Sequence, residues 1–74
     1  MMMKAQEIIR HDLIATLGWK PGEANAARIY KGHGAQGYGW YVQPFGERAT
    51  WWGTNVAEVT ASMDDDATAK RELG

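Results

Sequence analysis

The stretch from Tyr38 to Trp52 (YGWYVQPFGERATWW) constrains the fold more than any other part of the chain. Aromatic and β-branched residues crowd both of its ends, and Pro44-Phe45-Gly46 sits between them. Large flat or branched side chains suit a pleated, half-buried surface. Pro and Gly at the second and fourth positions of Gln43-Pro44-Phe45-Gly46 suit a type I turn. The pattern predicts a β-hairpin, with one strand over Tyr38–Gln43 and a return strand over Glu47–Trp52.

Side chains alternate between the two faces of a strand, so the hairpin also predicts which residues share a face. In the first strand Tyr38, Trp40 and Val42 alternate with Gly39, Tyr41 and Gln43; in the second, Ala49 and Trp51 alternate with Arg48, Thr50 and Trp52. The more apolar sets, Trp40 with Val42 and Ala49 with Trp51, are expected to face the interior. Tyr41, Gln43, Arg48, Thr50 and Trp52 are left for the opposite face.

Helical spacing brackets the hairpin. Ala5, Ile8, Ile9, Leu13 and Leu17 recur at intervals of three and four residues, predicting a helix over residues 3–17, with Gly18 and Pro21 as stop signals. Beyond Gly53, Asn55 and Glu58 form a capping-box-like start. Val56, Val59, Thr60 and Met63 then carry a second helix from about residue 55 to at least 63, and Asp66 with Lys70 forms a favourable i, i+4 pair further on. Three consecutive aspartates at 64–66 repel one another and leave the far end of this helix open. Residues 18–26 read as a Pro-Gly loop, Ala26–Lys31 as a strand, and GHGAQGYG at 32–39 as a flexible connection. If the first strand forms, Arg28 and Tyr30 join the open face and Ile29 turns inward.

The expected architecture is α+β in the order α-β-β-β-α. An antiparallel sheet of two or three strands carries two helices on one face, and residues 1–74 form a single domain. A chain of 74 residues buries a smaller share of its surface than a large one does, and this one has no cysteine to compensate. Disulfides and Cys-based zinc sites are excluded, so packing alone, or a second subunit, must hold the core. Homodimerisation is one expectation that follows.

Charge is unevenly spread. Residues 1–37 carry a balance of +2 and residues 38–74 a balance of −3, for a formal net charge of −1. Nucleic-acid binders neutralise phosphates with a basic surplus, which this chain lacks, so direct nucleic-acid binding is not the expectation. The start of the chain has neither the pattern of a signal peptide nor the length of a membrane span, and the expected compartment is the cytoplasm of the host cell.

No motif announces catalysis. The paired Gly-His-Gly and Gly-Tyr-Gly at 32–39 fit neither a phosphate loop nor a dinucleotide fingerprint, and they precede a strand where those motifs precede a helix. His11, His33, Asp12 and the 64–66 run share no spacing that couples them, and the Asp run lacks the spaced ligands and glycine of a calcium loop. No catalytic residue, metal ligand or cofactor is therefore assigned. Tyr, Trp and Arg on one exposed face are the residue types that dominate binding hot spots. Tyr30, Tyr41, Arg48 and Trp52 are the expected partner-binding residues on the sheet, with Asp64, Asp65 and Asp66 as a negative patch toward a basic partner. The alternative is that Tyr41 or Trp52 is covered by the Gly-rich segment or by a second copy.

The element order resembles that of the double-stranded-RNA-binding domain. That family's recognition rests on a basic cluster at the start of its second helix, where this chain has Asn55-Val56-Ala57-Glu58-Val59, so RNA binding does not carry over. In size, lack of cysteine, aromatic content and acidic C-terminal half the chain resembles the small bacteriophage-encoded inhibitors of which anti-CRISPR proteins are a class. That resemblance implies a non-enzymatic, protein-binding inhibitor of a nucleic-acid-handling defence complex, with the aspartates imitating phosphates. A small nucleic-acid-binding or regulatory module using the aromatic sheet face is the other function considered.

Overall fold

The computed structural model describes residues 3–73; Met1, Met2 and Gly74 lie outside them. The chain runs α1 (Ala5–Ala15), α2 (Pro21–Ala26), β1 (Arg28–Gly34), β2 (Gly37–Gln43), β3 (Thr50–Gly53) and α3 (Val56–Leu73). The three strands form one antiparallel sheet in the order β1-β2-β3. The fold is α+β, and the two long helices pack on one face of the sheet. Ile9 and Leu13 of α1 and Val59 and Met63 of α3 are fully buried against Ile29, Trp40 and Val42. Each such aliphatic side chain contributes about 1.5–3 kcal/mol when removed from water.

A part-buried polar contact ties the two helices to each other. Thr60 Oγ1 on α3 donates to Asp12 Oδ2 on α1 at 2.8 Å, across 48 residues of sequence. Gly18, at φ 76°, turns the chain out of α1, and the Trp19 N–H returns to the Leu13 carbonyl at 2.9 Å. This uses the freedom that glycine alone has at the end of a helix.

Residues 21–26 are helical where the Pro-Gly punctuation predicts a loop. Pro21 is tolerated in a first turn because its missing N–H would have had no helical partner. Glu23 Oε1 accepts the Lys20 N–H at 3.3 Å. Arg10 of α1 donates to the carbonyls of Ala24 and Ala27 at the other end of the segment. The stabilising partner lies 14 residues away, beyond the reach of local pattern.

β1 forms, but over Arg28–Gly34 and not Ala26–Lys31. Much of the expected flexible connection is therefore strand. Gly34 pairs with Gly37, and only Ala35 and Gln36 make the turn. The second turn is also displaced. The Glu47 N–H donates to the Pro44 carbonyl at 3.1 Å and Gly46 has φ 75°, so the turn spans Pro44–Glu47. A positive φ at its third position does not fit type I.

β3 is correspondingly shorter than the expected Glu47–Trp52. Val42 pairs with Thr50 and Tyr41 with Trp51, but Trp40 pairs with Gly53, so Trp52 is the extra residue of a bulge. The pairing of Val42 with Thr50 and of Tyr41 with Trp51, set before the bulge, reverses the expected faces of the second strand. Trp51 stands opposite Tyr41, away from the helices, and Trp52 packs against the core.

α3 begins as the sequence predicts. Asn55 Oδ1 accepts the Glu58 N–H at 2.9 Å, and Glu58 Oε2 accepts the Thr54 N–H at 3.1 Å. The helix then runs without a break through the three aspartates to Leu73, with Lys70 3.0 Å from Asp66. Among the described residues, no helix is long and apolar enough to cross a membrane.

Candidate functional site

The face of the sheet turned away from the helices is built from alternate residues of β1 and β2. Four cross-strand pairs define it: Arg28 with Gln43, Tyr30 with Tyr41, Gly32 with Gly39, and Gly34 with Gly37. Half of this face is aromatic and polar, and the other half is a row of glycines. Two of these four glycines, Gly34 and Gly39, are explained by the rings beside them. A side chain at Gly34 would place its Cβ 2.5 Å from Tyr41 Cζ. One at Gly39 would collide with Trp51 Nε1 and with the Gly53 carbonyl. The glycines at 34 and 39 therefore leave room for aromatic rings, a role unlike that of a phosphate loop or a flexible linker.

The rings are held in place by hydrogen bonds to backbone. Tyr41 Oη donates to the Gly37 carbonyl at 2.6 Å and accepts the Gln36 N–H at 3.2 Å. Trp51 Nε1 donates to the Tyr38 carbonyl at 3.2 Å. Tyr41 is buried to 2% exposure and is not displayed; the Gly-rich segment lies against it, as the alternative for this residue had it. Tyr30 stacks beside it with ring centroids 5.5 Å apart and planes 12° from parallel. The Arg28 guanidinium lies 4.9 Å from the Tyr30 centroid, within cation–π range.

A groove of about 440 Å³ opens over this arrangement, lined by Tyr30, Gly34, Ala35, Gln36, Tyr41, Gln43, Arg48 and Ala49. Arg48 reaches it from the β2–β3 loop, and Ala49 lines it instead of facing the interior. The groove lining contains Arg48 and no Asp or Glu among the described residues, and Arg28 lies beside Tyr30 at its edge.

The residues predicted to bind a partner thus separate. Tyr30 and Arg48 share the groove, Tyr41 forms its buried floor, and Trp52 lies on the opposite side of the sheet. The aspartates do not form one patch, because successive residues of a helix point about 100° apart. Asp66 is paired with Lys70. Asp64 lines a separate depression of about 430 Å³ between α1 and α3, together with Lys70 and Arg71. Charge there is mixed.

One feature escapes the sequence pattern. Phe45, in the β2–β3 turn, is 89% exposed and lines a third cleft with Trp19 and Pro44. The only local signal for it is a large apolar residue at a turn position. Among the described residues, no three His, Cys, Asp or Glu side chains converge as a metal site. No family model, no curated protein and no solved structure matches this chain.

Proposed function

We propose that this chain is a binding module that occupies a protein partner through the uncovered face of its sheet, as a small inhibitor or adaptor does. The observation that carries the reading is the open groove in which Tyr30, Gln43 and Arg48 surround a floor made rigid by Tyr41. Arginine and tyrosine over a preorganised, desolvated floor are the chemistry of interface hot spots. The proposed target class is a nucleic-acid-handling defence complex of a bacterial host; the size and composition of the chain support it. Stacking of nucleic-acid bases on the same face is the less favoured reading. Tyr30 is already flanked by Arg28 and Tyr41, and Tyr41 has no open ring face.

The test is capture from nuclease-treated bacterial lysate at low and moderate salt, with the wild type beside an Arg28→Ala/Arg48→Ala variant. Recovery of one stoichiometric protein complex by the wild type, lost in the variant, is the expected result. Retention of nucleic acid alone when nuclease is omitted would move the function to the nucleic-acid reading.

A further inference from the structure

The β2–β3 loop separates two clefts of opposite character. On one side is the groove just described, with Arg48. On the other is a cleft of about 370 Å³ whose lining includes Trp19, Ala26, Pro44, Phe45, Glu23 and Glu47. Residues 43, 48 and 49 serve the groove and residues 44, 45 and 47 serve the cleft, so one short loop builds a wall of each.

The second cleft has two kinds of lining. Trp19 and Phe45 are aromatic, and Phe45 is held out in solvent at 89% exposure, where it contributes little to the core. Glu23 and Glu47 are acidic, and no Lys or Arg lines the cleft among the described residues. Aromatic faces attract cations through their quadrupole, and the exposed carboxylates beside them add a Coulomb attraction that solvent screens. An alkyl stem ending in a positive charge satisfies both, because the stem packs on the rings while the head meets the carboxylates.

We infer that this cleft is a receptor for a single arginine or lysine side chain of a partner protein. It is separate from the sheet groove and shares none of its lining residues. Together the two clefts orient a partner, because an acidic group on the Arg48 side and a cation on the Phe45 side can be met in only one direction.

The test is a nuclear magnetic resonance titration of the intact chain with the peptide acetyl-Gly-Arg-Gly-amide, read at the Trp19 indole N–H, which a Trp19→Phe variant assigns. The control peptide carries neutral citrulline in place of arginine. Saturable movement of the Trp19 signal by the arginine peptide is expected, with affinity about two- to five-fold weaker for citrulline and for the Glu23→Gln/Glu47→Gln variant. Glu47→Gln alone and Phe45→Ala repeat the test at exposed positions, should the change at Glu23 disturb α2. Arg48→Ala is expected to leave the titration unchanged, which keeps this result independent of the sheet groove. Equal response to both peptides, or no loss in the Gln variants, would overturn the proposal. So would a Trp19 signal that moves with protein concentration alone, since that would place a second copy in the cleft.

Discussion

The two faces of the sheet are held by different physics. The covered face is closed by apolar packing: Ile29, Trp40 and Val42 meet Ile9, Leu13, Val59 and Met63, and water is excluded. The open face has no layer above it and relies on its own side chains. Tyr41 and Trp51 lie against glycines and donate to the carbonyls of Gly37 and Tyr38. Burial on the first face supplies most of the stability, because it removes whole aliphatic side chains from water. Hydrogen bonds on the second face each contribute less but fix the shape of a surface that stays accessible. A small domain can thus keep one sheet face free for a partner if rings and backbone, and not a second layer, make that face rigid.

Substitutions on the two faces should separate accordingly. Leu13→Ala, on the covered side, is expected to cost about 2–5 kcal/mol, measured by urea denaturation. Tyr30→Ala on the open face should cost clearly less in the same experiment, and equal losses would break the comparison. Gly39→Ala is the exception that sharpens it. Its Cβ has no room beside Trp51 and the Gly53 carbonyl, so about 1–3 kcal/mol should be lost even though the position is on the open side. A thermal melt indistinguishable from wild type would show that the Trp51 ring is not held there.

Smaller effects test the polar contacts. Thr60→Val leaves the Asp12 carboxylate without its partner and should cost about 1–3 kcal/mol. Tyr41→Phe removes the bonds to Gly37 and Gln36 and should cost about 0.5–1.5 kcal/mol. Amide hydrogen exchange should then quicken at Gln36 and not at Val59; uniform acceleration would mean that the hydroxyl acts on global stability. Arg48→Ala should change stability by less than about 0.5 kcal/mol. Its effect is expected in partner capture alone, and a lowered melting temperature would assign Arg48 to the scaffold.

Much of the fold was legible in local pattern. α1 carries its stripe at helical spacing, Asn55 and Glu58 form their cap, and the aromatic-rich Tyr38–Gln43 lies within β2. The site was legible only in part. Tyr30 and Arg48 line the groove, but Tyr41 is its floor and Trp52, partly buried, packs against the core. The cause lies in β3. Val42 pairs with Thr50 and Tyr41 with Trp51, offset by an odd number of residues from the register a Gln43–Gly46 turn would set, and this exchanges the two tryptophans between faces because side chains alternate with a period of two. α2 was missed for a related reason, since Arg10 holds its last carbonyls from another helix.

By itself, then, the sequence determined that α1 and the start of α3 coil and that β2 extends, because helical and strand periodicity are local properties of side-chain spacing. Tertiary structure alone decided which aromatic rings are buried, which are displayed, and why glycines lie beneath two of them. Those outcomes depend on strand register and on close approach between residues distant in the chain, and neither is encoded in the spacing of neighbours.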